Sequence, residues 1–134
     1  MDAEPYGIQL QIEGACCRNA EVLGDEDKVK SLLTKTIKAA GMSLLAGPYV
    51  AEEPPRDAGK GPGISGVALL CESHVVIHTY PEARWFFFEM LSCKNFNSAK
   101  VEKVLTKWSG SQQISSYEKE IGTNFPEGGV FVEG

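Results

Sequence analysis

Residues 63–82 read GISGVALLCESHVVIHTYPE, and this stretch decides how the rest of the chain is organised. Two apolar runs, Val67–Leu70 and Val75–Ile77, have the composition of neighbouring strands and enclose the polar triplet Glu72-Ser73-His74. A second histidine, His78, directly follows the second apolar run. Burying an unpaired polar group costs roughly 1–3 kcal/mol, so these side chains either satisfy one another or take part in chemistry.

Length and charge limit the functional classes. The chain has 134 residues, which suits one domain (residues 1–134) around a single core. Its net charge of −5 disfavours a nucleic-acid or acidic-membrane surface. No run approaches the ~20 apolar residues that span a bilayer. The first residues, Met1–Pro5, are acidic and lack the basic region and apolar core of a signal peptide, which predicts a cytoplasmic protein.

The cysteines do not indicate a disulfide framework or a metal site. There are four, Cys16, Cys17, Cys71 and Cys93, and the adjacent pair favours a reducing compartment. None has Cys-x-x-Cys spacing, and the two histidines complete no zinc pattern with them. We therefore expect no metal, and we expect all but Cys93 to serve packing.

Hydrophobic periodicity predicts the remaining elements. Alternation at Ile8, Leu10 and Ile12 indicates a half-buried strand, and a helix follows the acids after Gly24 and ends at Gly41. Further strands are expected over residues 42–50, 65–72, 75–80, 84–94 and 113–121, with a loop over 51–63 and a second helix capped by Asn97 or Ser98. Short turns between most strands predict an α+β fold, a two-layer sandwich of antiparallel sheet with helices on one face.

The aromatic run Trp85-Phe86-Phe87-Phe88 carries more apolar surface than one sheet face can hide. We therefore expect the open face to meet a partner subunit, or the run to belong to the core, rather than to form a ligand platform.

Ser73 with His74 or His78 could act as a hydrolase nucleophile and base, but no Gly-x-Ser-x-Gly elbow surrounds the serine. A longer pattern is more specific. It combines Gly-Ile-Ser-Gly-Val, Glu-Ser-His-x-x-Ile-His-Thr-x-Pro-Glu and a hydrophobic strand ending Ser-Cys-Lys. This pattern resembles the prokaryotic S-adenosylmethionine decarboxylases, which are pyruvoyl-dependent enzymes of polyamine (spermidine) biosynthesis. The resemblance is close over residues 63–94 and looser upstream.

The resemblance implies that the chain is a zymogen that cuts itself. The Ser73 hydroxyl would attack the carbonyl of Glu72, and β-elimination would split the chain into residues 1–72 (β chain) and 73–134 (α chain). Ser73 would become a pyruvoyl group, which forms a Schiff base with the substrate amine and withdraws the electrons left by carbon dioxide. No external cofactor would be required.

The same resemblance implies roles for individual residues. Ser73 is the pyruvoyl precursor, and His78 takes its Cα proton during elimination. Ser65 helps to stabilise the tetrahedral species, Cys93 returns a proton to the substrate carbon, and Glu82 lies near the substrate. His74 is given a supporting role. The processed protomers are implied to form a homo-oligomer with sites at its interfaces.

Each of these residues also has a purely structural interpretation. Ser73 and His74 suit a hairpin turn, and His78 suits a satisfied position within a strand. Cys93 suits the packing of a small hydrophobic residue, and Ser65 suits a strand edge. Glu82 and Glu89 suit a solvated surface.

Two departures from the family pattern leave the substrate open. The family places an aromatic residue, suited to stack on adenine, shortly before the Gly-x-Ser-Gly turn, but residues 56–62 (RDAGKGP) contain none. Glu89 stands where an aspartate is expected. A decarboxylase of L-arginine or L-ornithine is therefore an alternative, because the loop acids Glu52, Glu53 and Asp57 could attract a cationic side chain. A non-catalytic regulatory paralogue is a third possibility.

Overall fold

A computed structural model of the chain describes residues 5–55 and 61–133. Six strands and three helices follow one another along the sequence, with a short 3-10 turn near the end. They are β1 (Gly7–Ala15), α1 (Ala20–Leu23), α2 (Glu26–Ala39), β2 (Leu44–Glu53), β3 (Gly63–Leu70), β4 (Ser73–Tyr80), β5 (Trp85–Ser92), α3 (Ser98–Ser109), β6 (Gln113–Ile121) and the 3-10 turn Glu127–Gly129.

The strands form one sheet in the order β2-β3-β4-β5-β1-β6, and every neighbouring pair is antiparallel. Helix α2 packs on β2, β3 and β4, and α3 packs on β1 and α2. This confirms the predicted α+β sandwich with helices on one face of an antiparallel sheet.

Strand alternation places the core between the helices and the sheet. In β4 and β5 every second residue is buried, including Val75, Ile77, Phe86 and Phe88. The residues between them point to the opposite face, which no element covers among the described residues. The aromatic run is therefore divided, with Phe86 and Phe88 in the core and Trp85 and Phe87 on this open face.

Two glycines of the opening motif allow close packing at β3. A Cβ on Gly63 would overlap the carbonyl oxygen of Thr79, and a Cβ on Gly66 would lie 2.9 Å from Leu33 Cδ1 of α2. The Thr79 hydroxyl donates to the Leu23 carbonyl at 2.6 Å, which ties α1 to β4. Because Gly63 and Gly66 have no side chain, β3 can pack closely against β4 and the helix layer.

The helix ends follow ordinary capping chemistry. The Asp25 carboxylate accepts from the backbone N–H groups of Asp27 and Lys28 and begins α2. Asn97, one of the two predicted caps, accepts from Lys100 N and begins α3. Helix α1 was not predicted, because four residues are too few to show a periodicity.

The hairpin around the polar triplet differs from the prediction. Leu70 pairs directly with Ser73, so β3 ends at Leu70 and β4 begins at Ser73. The turn therefore consists of Cys71 and Glu72, and Ser73 and His74 are strand residues.

The cysteines and the predicted loop over residues 51–63 also differ from expectation. Cys16 and Cys71 are exposed, so only Cys17 has the packing role expected of all three. Strand β2 continues to Glu53, into the predicted loop, and residues 56–60 of that loop lie outside the described part of the chain. Within residues 5–55 and 61–133, no helix combines the length and apolar character needed to cross a bilayer.

Candidate active site

Ser65 and His78 face each other across β3 and β4 on the open face of the sheet. The two residues are directly paired, and Ser65 Oγ lies 2.7 Å from His78 Nδ1. If Nδ1 carries the imidazole proton, it donates to the serine oxygen and leaves Nε2 with a free lone pair. The contact therefore orients the ring and permits the tautomer that a general base requires.

Glu72 and Cys93 meet at the other end of the same hairpin. The Cys93 thiol donates to Glu72 Oε2 at 3.2 Å. Burial raises the pKa of this thiol, and the neighbouring Glu72 carboxylate raises it further by disfavouring the thiolate. Cys93 is therefore held in its protonated form, which is the form that can deliver a proton.

Ser73 directly follows a strained residue. Glu72 has a φ of +62°, a left-handed conformation that side chains other than glycine adopt at a cost of about 1–2 kcal/mol. The strain falls on the residue whose carbonyl precedes Ser73. Such strain concentrates at functional sites, and here it lies on the residue that directly precedes the bond marked for cleavage by the sequence pattern.

A third polar group lies on the open face beside this turn. His74 Nε2 lies 3.2 Å from Glu89 Oε2, and the other oxygen of Glu89 accepts from Gln9 Nε2 at 2.6 Å. Both ring and carboxylate are half-buried. Glu89 is therefore held by two partners rather than free in solvent as a surface acid.

The structure brings the predicted residues together in two groups, not one. Ser65 and His78 form one group; Glu72, Ser73 and Cys93 form the other. Ser73 and His78 are five positions apart on one extended strand, a distance of about 16 Å. No hydrogen bond among the described residues joins Ser73 to either histidine.

A cavity of about 600 Å³ adjoins His78 on the open face. Its walls include the rings of Tyr80, Trp85 and Phe87 and the exposed carboxylate of Glu82. The Tyr80 and Trp85 rings lie 5.8 Å apart between centroids. Glu82 thus belongs to the His78 group, at the edge of an aromatic groove.

Trp85 and Phe87 were not predicted as part of a site, since the aromatic run was assigned to the core or to an interface. The signal that identifies them is register, because the short turn after Tyr80 pairs His78 with Phe87 and Tyr80 with Trp85. Tyr6 was also missed: its hydroxyl donates to the Glu72 carbonyl at 3.4 Å, across a sequence separation that no local pattern reveals.

Among the described residues, no three histidine, cysteine, aspartate or glutamate side chains converge as a metal site requires. Of the three loop acids considered for a cationic substrate, Glu52 and Glu53 lie in β2. Asp57 lies outside the described residues.

Comparison with known proteins identifies the family. A family model described as S-adenosylmethionine decarboxylase matches residues 8–120. An S-adenosylmethionine decarboxylase proenzyme of Thermococcus onnurineus is 30% identical over 90 residues, which cover 67% of this chain and 58% of the relative. A proenzyme of the same name from Methanococcus maripaludis C5 is 33% identical over 86 residues, covering 64% and 62%. The match thus spans about three fifths of each relative's length.

A crystal structure of the adenosylmethionine decarboxylase of Aquifex aeolicus VF5 has the same fold, with a TM-score of 0.74 over 90% of this chain and 93% of that one. Its sequence identity is 18%, so this likeness concerns the fold alone. The family model covers most of the chain and agrees with the motif over residues 63–94. The chain therefore belongs to the S-adenosylmethionine decarboxylase family.

Proposed function

We propose that this chain is a self-processing, pyruvoyl-dependent S-adenosylmethionine decarboxylase of polyamine biosynthesis that acts in the cytoplasm. The observation that carries the proposal is the cluster at the β3–β4 turn. A hydroxyl nucleophile, Ser73, directly follows a strained carbonyl-bearing residue, Glu72, whose side chain contacts the thiol of Cys93. A purely structural turn needs neither the hydroxyl of Ser73 nor the thiol of Cys93.

Self-processing begins when Ser73 Oγ bonds to the carbonyl carbon of Glu72. The carbon–nitrogen bond breaks, the nitrogen takes up a proton, and an ester replaces the amide. Removal of the Ser73 Cα proton then expels the Glu72 carboxylate, which separates residues 1–72 from residues 73–134. Water hydrolyses the remaining enamine and releases ammonia, leaving a keto-acyl end at position 73.

That keto-acyl end supplies an electron sink for the decarboxylation of an α-amino acid. Cys93 is suited to the proton transfer that must follow the loss of carbon dioxide. Its thiol lies beside the carboxyl group of Glu72, next to the future terminus, and its raised pKa keeps the proton available. The contact between Glu72 and Cys93 thus places the proton donor for decarboxylation beside the cleavage site.

A second copy of the chain completes the site in this proposal. His78 and Ser73 lie at opposite ends of one strand, so His78 cannot reach the Ser73 Cα proton within its own chain. In a twofold dimer, residue i contacts j of the partner while j contacts i. Pairing two open faces in this way brings each His78 to the partner's cleavage turn and creates two equivalent sites.

The open face has the character of such an interface. It carries exposed apolar side chains, with Tyr49, Val67 and Leu69 exposed by 62%, 37% and 48%. Apolar surface of this kind marks contact regions when it is contiguous. The residues that need a partner copy, Ser65 and His78, lie beside it.

The cavity beside His78 favours S-adenosylmethionine over arginine or ornithine. Three aromatic rings supply stacking surface for a purine and a nearby sulfonium. Glu82 can accept hydrogen bonds from two ribose hydroxyl groups. Among the described residues that line this mostly apolar groove, Glu82 is the one carboxylate that the ammonium of ornithine would meet.

The proposal is tested by measuring carbon dioxide release from S-adenosylmethionine, L-arginine and L-ornithine with the wild-type chain, with Ser73→Ala and with Ser43→Ala, a change at an exposed serine before β2. We expect release from S-adenosylmethionine by the wild type and Ser43→Ala, and none by Ser73→Ala. Release from arginine or ornithine instead would identify the alternative decarboxylases. A processed protein inactive on all three would refute the assignment.

A further inference from the structure

The Tyr6 hydroxyl donates a hydrogen bond to the backbone carbonyl of Glu72, with 3.4 Å between the oxygens. In the proposed processing reaction this is the carbonyl that Ser73 attacks. As the new carbon–oxygen bond forms, negative charge gathers on the oxygen that faces Tyr6. A donor already directed at that oxygen stabilises the charge as it develops.

The carbonyl is available to such a donor because of the turn geometry. Glu72 lies between the paired residues Leu70 and Ser73, outside the ladder of β3 and β4. Its left-handed backbone accompanies this exit from the ladder. The bond is long in the uncleaved chain, and hydrogen bonds to an ionised acceptor are shorter and stronger than those to a neutral one. The contact therefore tightens toward the transition state.

Tyr6 is held in place by the segment that follows β6. Its backbone N–H donates to the Gly122 carbonyl at 3.0 Å, and its ring meets Phe125 edge to face with centroids 5.4 Å apart. Gly122 itself is left-handed, and a Cβ there would overlap the Tyr6 side chain. Gly122 and Phe125 thus orient the Tyr6 hydroxyl toward the β3–β4 turn.

We infer that Tyr6 is a catalytic residue of self-processing, which stabilises the oxyanion formed on Glu72 when Ser73 attacks. This role rests on the proposed function, since it exists only if the chain cleaves itself. In this step Ser73 Oγ bonds to the carbonyl carbon and the electron pair of the carbonyl π bond moves to the oxygen. The Oγ proton passes through solvent to the Ser73 nitrogen, which leaves the carbon when the amide bond breaks. Tyr6 donates a hydrogen bond and keeps its own proton.

The test is the rate of cleavage of freshly synthesised protein, followed by intact mass, in the wild type, Tyr6→Phe and Tyr117→Phe. Tyr6→Phe removes one oxygen and keeps the ring against Phe125, whereas Tyr117 is an exposed tyrosine on β6. We expect Tyr6→Phe to cleave about tenfold more slowly, as the loss of one hydrogen bond implies, and Tyr117→Phe to match the wild type.

A second measurement isolates the attack step. In a His78→Ala background the ester can form but not eliminate, and hydroxylamine cuts it to a hydroxamate at Glu72. At saturating hydroxylamine, adding Tyr6→Phe should slow this cut by the same factor. Equal rates with and without the Tyr6 hydroxyl, in either assay, would overturn the role of Tyr6 alone. A wild-type chain that never cleaves would overturn the proposed function as well.

Discussion

Ser65 and His78 form a cross-strand hydrogen bond of 2.7 Å at the end of the β3–β4 hairpin that lies farthest from Ser73. The bond orients the imidazole of His78. Ser73, whose Cα proton this ring is proposed to remove, lies about 16 Å away along the same strand. The dimer proposed above would remove this separation, and it leads to an expectation about mixtures of variants.

We expect Ser73→Ala and His78→Ala to complement each other. Each variant alone should stay whole, because it lacks either the nucleophile or the base. In a mixed dimer, one site combines Ser73 from the His78→Ala chain with His78 from the Ser73→Ala chain. Equal mixing makes about half of the dimers mixed, so up to about half of the His78→Ala chains should be cleaved after refolding together.

Intact mass after co-refolding checks this expectation. A mixture of Ser73→Ala with Ser65→Ala serves as a second pair, and it should also cleave because Ser65 acts with His78. A mixture that stays as whole as its components would show that the two groups do not meet between chains.

The pKa of Cys93 should depend on Glu72. Burial and the adjacent carboxylate both raise the thiol pKa, so Glu72→Gln should lower it while the effect of burial remains. The thiolate would then appear at lower pH. Iodoacetamide labelling against pH, in a Ser73→Ala background with Cys16→Ser and Cys71→Ser to remove the exposed thiols, measures the midpoint. An unchanged midpoint would show that the carboxylate does not act on the thiol.

The left-handed backbone of Glu72 should be visible as strain. In a Ser73→Ala background, Glu72→Gly should be more stable than Glu72→Ala by about 1 kcal/mol, because glycine adopts a positive φ without a Cβ clash. Urea unfolding measures the difference. With Ser73 present, the alanine variant should cleave faster than the glycine variant, since cleavage relieves the strain. Equal stabilities of the two variants would show that the backbone of Glu72 is not strained.

Phe87 and Phe88 are adjacent in sequence and should behave in opposite ways. Phe88 is fully buried, so Phe88→Ala should destabilise the fold by about 3–5 kcal/mol. Phe87 lines the cavity, so Phe87→Ala should cost about 1 kcal/mol or less. It should instead raise the KM for S-adenosylmethionine about two- to tenfold, the value of lost stacking. Urea unfolding and steady-state kinetics separate the two effects; a Phe87→Ala enzyme with an unchanged KM would remove the ring from the substrate site.

Much of the fold was readable from local patterns. Strand β6 has the predicted limits, 113–121, and Asn97 caps α3, because alternation and capping chemistry involve neighbours in sequence. The end of β3 was misplaced, because it is set by the pairing of Leu70 with Ser73, a relation between two strands.

The motif named the candidate residues of the proposed site, but it did not give their arrangement. The motif identified Ser65, Ser73, His78 and Cys93, yet spacing alone did not show that they divide between the two ends of one hairpin. The role proposed for Tyr6 depends on a contact between distant parts of the chain, which periodicity cannot report.

The most direct test of self-cleavage is the intact mass of freshly made protein followed over time. We expect the full-length mass to be replaced by two species, residues 1–72 and residues 73–134. The second should begin with a keto-acyl group that reacts with hydrazine reagents and resists Edman degradation. A chain that remains whole, with an ordinary serine at position 73, would contradict it.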